Sequence, residues 1–106
     1  MIRKSKKSEI QVIKQLIDSF EEMDVIPETF SENYYDRILK KGILLAAEEN
    51  NNLVGVCFGD YNIKEDWADL LGLVVKKEYQ GKGIGSSLVK AFEEIVKEKK
   101  LKTIDL

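Results

Sequence analysis

The sequence predicts an α/β chain of the α+β sandwich type, built on a mixed, mostly antiparallel sheet in the order β-α-α-β-β-β-α-β. Three observations carry that prediction. Two early stretches have helix-start signals followed by apolar residues at helical spacing. Two apolar runs flank Asn50-Asn-Asn52, a hairpin signal. A third apolar run passes through a glycine-rich loop into an amphipathic stretch and then a final short run, so that its last strand lies parallel to the strand before the loop, with a right-handed crossover.

The elements follow in order. Residues 2–4 read as a short strand. Ser8-Glu-Ile-Gln11 has the form of a capping box, with Ile10, Ile13, Leu16, Ile17 and Phe20 behind it, so a first helix is expected from Ser8 to Met23. A loop holding Pro27, the one proline, comes next. Thr29-Phe-Ser-Glu32 is a second capping box, followed by Tyr34, Tyr35, Ile38 and Leu39, with Gly42 as the C′ stop. Ile43 to Glu49 and Leu53 to Tyr61 form the hairpin; Val54, Val56 and Phe58 alternate with smaller residues as in a half-buried strand. After a polar turn at 62–66, Trp67 to Val75 is the next strand. Ile84, Leu88, Ala91, Phe92, Ile95 and Val96 then make one apolar helix stripe, with Glu93, Glu94, Lys97 and Lys100 toward water. Leu101 to Leu106 reads as the last strand. Residues 1–106 are expected to form a single domain, large enough for a core without disulfides or metal.

Composition narrows the chemistry. Net charge is −2 with 34% charged residues, so nothing global points to nucleic acid. The longest apolar runs, Leu70 to Val75 and Ile43 to Ala47, fall far short of the ~20 residues of a membrane span. The N-terminus goes from basic to polar residues without an apolar signal region. One cysteine, Cys57, allows no internal disulfide and fits the cytoplasm; it is expected in the core, with no neighbour to activate it. The chain has no histidine, which rules out a His-based triad and imidazole as general base. No metal site is expected.

The run Val75-Lys-Lys-Glu-Tyr-Gln-Gly-Lys-Gly-Ile-Gly-Ser-Ser-Leu88 is the most informative stretch. Gly81, Gly83 and Gly85 stand where a strand turns into a helix, so several amides can converge on an anion at a helix N-terminus. A Walker A loop fails, because no Gly-Lys is followed by Ser or Thr. A dinucleotide fingerprint fits badly: Lys76 to Gln80 separate strand from loop, Ser86 stands at the third glycine position, and antiparallel strands precede the unit.

This run resembles the acyl-CoA signature of the GNAT N-acetyltransferases, V-x-P-x-x-[Q/R]-G-x-G-[I/V]-[G/A]-x-x-L. It departs from that pattern only at Lys77, which stands in place of proline. The order of elements also resembles that family from its first strand through its fifth, so an acyl-CoA N-acyltransferase-like fold is expected. The resemblance implies acetyl-CoA as co-substrate and transfer of its acetyl group to a primary amine, small-molecule or peptide, by direct attack in a ternary complex. Amides of Gln80, Gly81, Lys82, Gly83, Ile84 and Gly85 would hold the pyrophosphate, with Ser86 capping it and Lys82 neutralising charge. The backbone of Leu73, Val74 and Val75 would pair with the pantetheine arm, in a gap between the fourth and fifth strands. A backbone N–H of the fourth strand, at Val74 or nearby, would meet the thioester carbonyl.

For the general base, Asp69 interrupts an apolar strand and by period-two counting shares a face with Leu71, Leu73 and Val75, which would raise its pKa. Asp66 and Glu65 are weaker substitutes. Of Tyr34 and Tyr35, one is expected in the core and the other at an acceptor groove. Members of the family continue past the fifth strand with a helix and further strands, which often supply a tyrosine as general acid. The chain is therefore expected to be a C-terminally truncated form, a piece of a longer enzyme or one completed as a homodimer through its exposed last strand. The alternative is a non-catalytic coenzyme A-binding module.

Overall fold

The computed structural model describes residues 1–19 and 32–105. The strands are β1 (Ile2–Lys4), β2 (Ile43–Glu49), β3 (Asn52–Asn62), β4 (Trp67–Val75) and β5 (Thr103–Asp105); the helices are α1 (Ile10–Asp18), α2 (Glu32–Lys41) and α3 (Ile84–Glu98). The strands form one sheet in the order β1-β2-β3-β4-β5, antiparallel except for the parallel β4–β5 pair. The expected fold class, element order and parallel last strand are all present.

The β2–β3 hairpin turns where the asparagines stand. Asn50 and Asn51 have φ of 52° and 65°, and Glu49 pairs with Asn52. Two successive positive φ values make the type I′ geometry that matches strand twist, and asparagine accepts it with least strain.

The start of α1 differs from expectation. A single 3₁₀ turn at Lys7–Glu9 precedes the α-helix, and the Glu9 carboxylate accepts a hydrogen bond from the Lys6 N–H at 2.8 Å. Glu9 is thus the acid of the cap and Ser8 is not the capping residue. The reason lies in Arg3, whose guanidinium grips Glu9 through Nη1 at 2.9 Å and Nη2 at 2.7 Å and also reaches Glu48 at 2.7 Å. This three-residue network ties β1, the turn and β2 together. α1 ends at Asp18 with Ser19 as its C-cap, short of the expected Met23, while the second capping box at Thr29 lies outside the described residues.

Both faces of the sheet are covered. On one, Ile13, Leu16, Ile17, Tyr35 and Ile38 pack over Leu44, Val56, Phe58 and Val74. On the other, Leu88, Phe92 and Val96 of α3 pack over Ile43, Leu45, Cys57 and Ala68. Hence Val54 to Gly59 is buried throughout, not half-buried as the alternation indicated. Gly42 does follow α2, with its N–H donating to the Ile38 carbonyl at 2.8 Å, but without a left-handed φ. Its role is close approach: a Cβ there would come within 2.6 Å of the Gly59 carbonyl oxygen.

A β-bulge in β4 decides the geometry of the site. Phe58 pairs with Gly72 but Gly59 pairs with Leu70, which leaves Leu71 as the extra residue. Alternation resets there. Asp69 pairs with Asp60, which lies two residues beyond Phe58 on the α1/α2 face, so Asp69 lies with Gly72 and Val74. Leu73 pairs with Cys57 and lies on the opposite, α3 face. The expected grouping of Asp69 with Leu71, Leu73 and Val75 is therefore wrong, and the apolar setting inferred from it falls away.

Candidate active site

Strands β4 and β5 pair only at Trp67–Thr103, Ala68–Ile104 and Asp69–Asp105. From Leu70 to Val75, the side of β4 away from β3 has no strand partner among the described residues. The phase of the ladder shows which groups face that open side. Lys76 N–H donates to the Val54 carbonyl at 2.8 Å, and Val74, opposite Val56, is in the same phase. Val74 thus spends its N–H and C=O on β3. Leu73 and Val75 are in the other phase and present theirs to the open edge. The thioester-contacting amide expected at Val74 cannot be that of Val74, because it points the wrong way.

The glycine loop continues from this edge. A 3₁₀ turn at Lys77–Tyr79 ends with the Gln80 N–H donating to the Lys77 carbonyl at 3.3 Å, while the Gln80 side-chain amide donates to the Val75 carbonyl at 3.0 Å. The Gln80 backbone amide is thereby engaged, which removes it from the expected ring of donors. Gly81 and Gly83 have φ of 78° and 83°, the left-handed region that glycine enters without a Cβ penalty. Gly83 stands at the N-cap of α3, and the first helical bond runs from the Ser87 N–H to the Gly83 carbonyl at 3.0 Å. The amides of Ile84, Gly85 and Ser86 precede that bond, so they have no acceptor within the helix. Ser86 is the third residue of α3 and is exposed, so it offers an amide as well as a hydroxyl.

Gly85 is different from its two neighbours. Its backbone is helical, and a Cβ would meet nothing closer than Val75 Cγ2 at 3.8 Å and Leu73 Cδ2 at 3.9 Å. The fold does not require glycine there, and in a helix interior glycine costs about 0.5–1 kcal/mol relative to alanine. The position keeps the helix start bare on the side that faces β4. Between them runs a groove of about 490 Å³ lined by Leu73, Gly85, Ser86, Val89, Lys90 and Glu93. Leu71 and Leu73, 44% and 39% exposed, leave apolar surface uncovered along the same edge. A bare helix N-terminus, a groove and an unpaired strand edge in one line fit a long thin ligand with a phosphorylated end.

At the other end of that line, Asp69 stands at the fork where β5 leaves β4. It is half-buried, and directly across the ladder lies Asp60, also half-buried, whose Oδ1 accepts the Tyr61 N–H at 2.9 Å. Sequence reading passed over Asp60, because only the bulge brings it opposite Asp69. Like charges placed opposite one another in a sheet destabilise it. Tyr34 lies on the same face. Its ring meets Phe58 edge-on at 6.3 Å, Arg37 lies 5.4 Å from its centroid, and its hydroxyl pKa is raised by burial, with Arg37 lowering it and Asp60 adding to the rise. Tyr35 is fully buried in the core, as expected of one of the two tyrosines, and Tyr34 is half-buried. Cys57 is fully buried, and burial pushes its thiol up to about 12, which leaves it inert. Among the described residues no group of three or more Cys, Asp or Glu side chains converges as a metal site would require, and no helix is long and apolar enough to cross a membrane.

Known proteins resemble this arrangement. No curated protein matches the chain. Among solved structures, Rv2747 of Mycobacterium tuberculosis, in complex with CoA, superimposes with a TM-score of 0.82 at 18% identity over 98% of this chain and 61% of its own. The PaiA N-acetyltransferase of Thermoplasma acidophilum, in complex with coenzyme A, gives 0.79 at 21% identity over 95% of this chain and 74% of its own. A ribosomal-protein-alanine N-acetyltransferase of Brucella melitensis gives 0.78 at 20% identity over 98% of this chain and 71% of its own. The chain thus spans between about three-fifths and three-quarters of the length of these proteins. At such identities the likeness establishes the fold. The sequence itself is matched by the profile of the acetyltransferase (GNAT) family over residues 10–106, nearly its whole length, and the chain belongs to that family.

Proposed function

We propose that the chain is an acetyl-CoA-dependent N-acetyltransferase acting on a primary amine. One observation carries the reading: the open edge of β4 leads straight to a helix N-terminus kept bare by a glycine, Gly85, that the fold does not need. The amides of Gly81 to Ser86 take the pyrophosphate, and Lys82 supplies positive charge. Leu73 and Val75 pair with the pantetheine amides as a further strand would, after the Gln80 side chain releases the Val75 carbonyl. The solved relatives named above with CoA or coenzyme A bound support this choice of donor.

Acetyl transfer then needs an amine freed of its proton and a carbonyl held by a donor. An outward-facing amide near the bulge, that of Leu73 foremost, takes over the thioester-holding role expected of Val74. Asp69, at the fork, accepts the proton of the attacking amine, directly or through water. The amine arrives as an ammonium ion, and Asp60 and Asp69 give that face the charge to receive it.

The test is turnover of acetyl-CoA with a panel of primary amines, by wild type and Asp69→Asn. The expected result is amine-dependent release of CoA thiol, with kcat lowered about 10²- to 10⁴-fold in the variant and the acidic limb of its pH–rate profile lost. An unchanged profile in an active variant removes Asp69 from the mechanism. Binding of CoA without turnover of any amine favours a coenzyme A-binding module.

A further inference from the structure

Tyr79 was not singled out by any motif, yet it lies against the cation of the phosphate loop. The Lys82 Nζ stands 5.4 Å from the centroid of the Tyr79 ring, within the range of a cation–π contact. The other face of the residue's surroundings is the core: Tyr79 is partly buried against the α3-side cluster and is held at the end of the 3₁₀ turn by its N–H to the Lys76 carbonyl at 2.8 Å. The ring is therefore fixed. Lys82 is exposed and stands between two left-handed glycines, Gly81 and Gly83.

Lys82 also differs from two of the helix lysines, Lys14 and Lys40. Lys14 is paired with Asp18 at 2.6 Å and Lys40 with Asp36 at 2.9 Å. Among the described residues no carboxylate forms an ion pair with Lys82. An ammonium held by a neutral ring keeps its whole charge for an incoming anion, whereas one held by a carboxylate does not. Holding it in advance also removes part of the side-chain entropy that ordering would cost on binding.

We propose that Tyr79 is a positioning residue for the acyl donor: it holds the Lys82 ammonium at the glycine loop, ready for the pyrophosphate. This rests on the reading of the loop as the acyl-CoA site. The test is calorimetric titration of CoA into wild type, Tyr79→Phe, Tyr79→Leu, Lys82→Ala and the Tyr79→Leu/Lys82→Ala double variant, at low and high salt. Tyr79→Leu is expected to weaken CoA binding about two- to five-fold at low salt, and less at high salt. Tyr79→Phe, which keeps the ring, is expected to bind as wild type does. In the Lys82→Ala background the leucine substitution is expected to add nothing.

Equal affinity of Tyr79→Leu and wild type overturns the proposal alone. So does a loss that is the same with and without Lys82 and at both salt concentrations, since that marks a packing role. Wild type that is folded and binds no CoA overturns the reading beneath it as well.

Discussion

At the scale of single residues, the loop separates two uses of glycine that look alike in the sequence. Gly81 and Gly83 answer to the backbone, with φ near 80°, whereas Gly85 has an ordinary helical backbone and open space where its Cβ would be. The two kinds respond differently to alanine. Gly83→Ala is expected to lower stability by about 1–2 kcal/mol, because an L side chain is strained at left-handed φ. Gly85→Ala is expected to raise it by about 0.5–1 kcal/mol through helix propensity while weakening CoA binding, since the methyl group stands in the groove. Thermal melts and titrations of both variants check this. A Gly85→Ala protein that is more stable and binds CoA as wild type does would show that the bare helix start serves no ligand.

At the scale of elements, the Arg3 network decides how the N-terminal segment is held. Arg3 joins the 3₁₀ turn to the sheet through two carboxylates, and its partner Glu9 has its pKa held below the usual 4.5, first by the hydrogen bond from Arg3. A carboxylate whose pKa is depressed in the folded state contributes stability above its unfolded value, and that contribution is lost as pH falls through the folded value. Arg3→Met is therefore expected to cost about 2 kcal/mol at pH 7, and the gap from wild type is expected to close as pH drops below 4.5. Denaturant melts at pH 7 and pH 3.5 measure it. A gap that stays constant would assign the loss to packing of the arginine stem.

The elements also show what a sequence can and cannot disclose. Strand limits such as Ile43–Glu49 and Trp67–Val75 were legible because the asparagine turn, the glycine loop and the runs of apolar residues punctuate the chain. The bulge at Leu71 was not. In Asp69-Leu-Leu-Gly-Leu-Val-Val75 almost every residue is apolar, so inserting one residue leaves no mark on the pattern while turning every side chain before it to the other face. That slip moved Asp69 to its true face, brought Asp60 opposite it, and made the relation of the two carboxylates invisible beforehand. The hydrogen-bonding phase that excludes Val74 is equally a property of pairing, which no single strand reveals. Lys6 and Glu9 at the first cap were misread because Arg3, not the local spacing, selects the acid.

At the scale of the whole molecule, a helix-covered sheet brings three features into one line. The parallel β4–β5 pair opens after three residue pairs, the α3 N-terminus points at the opening, and the two aspartates stand where the strands part. The loop motif was legible because its glycines stand between a strand and a helix, two of them, Gly81 and Gly83, at left-handed φ. The grouping of Tyr34, Asp60 and Asp69 on one face was not legible, since they come from three separate elements. The central claim is that this line is where an acyl-CoA lies. Amide chemical-shift mapping with CoA tests it most directly. Saturable shifts are expected, concentrated at Leu73, Val75 and Gly81 to Ser86, with small ones at Val74 and along β2. Shifts confined to another surface, such as the cavity lined by Val12, Leu16, Leu53 and Lys76, or none at all in a folded protein, would contradict it.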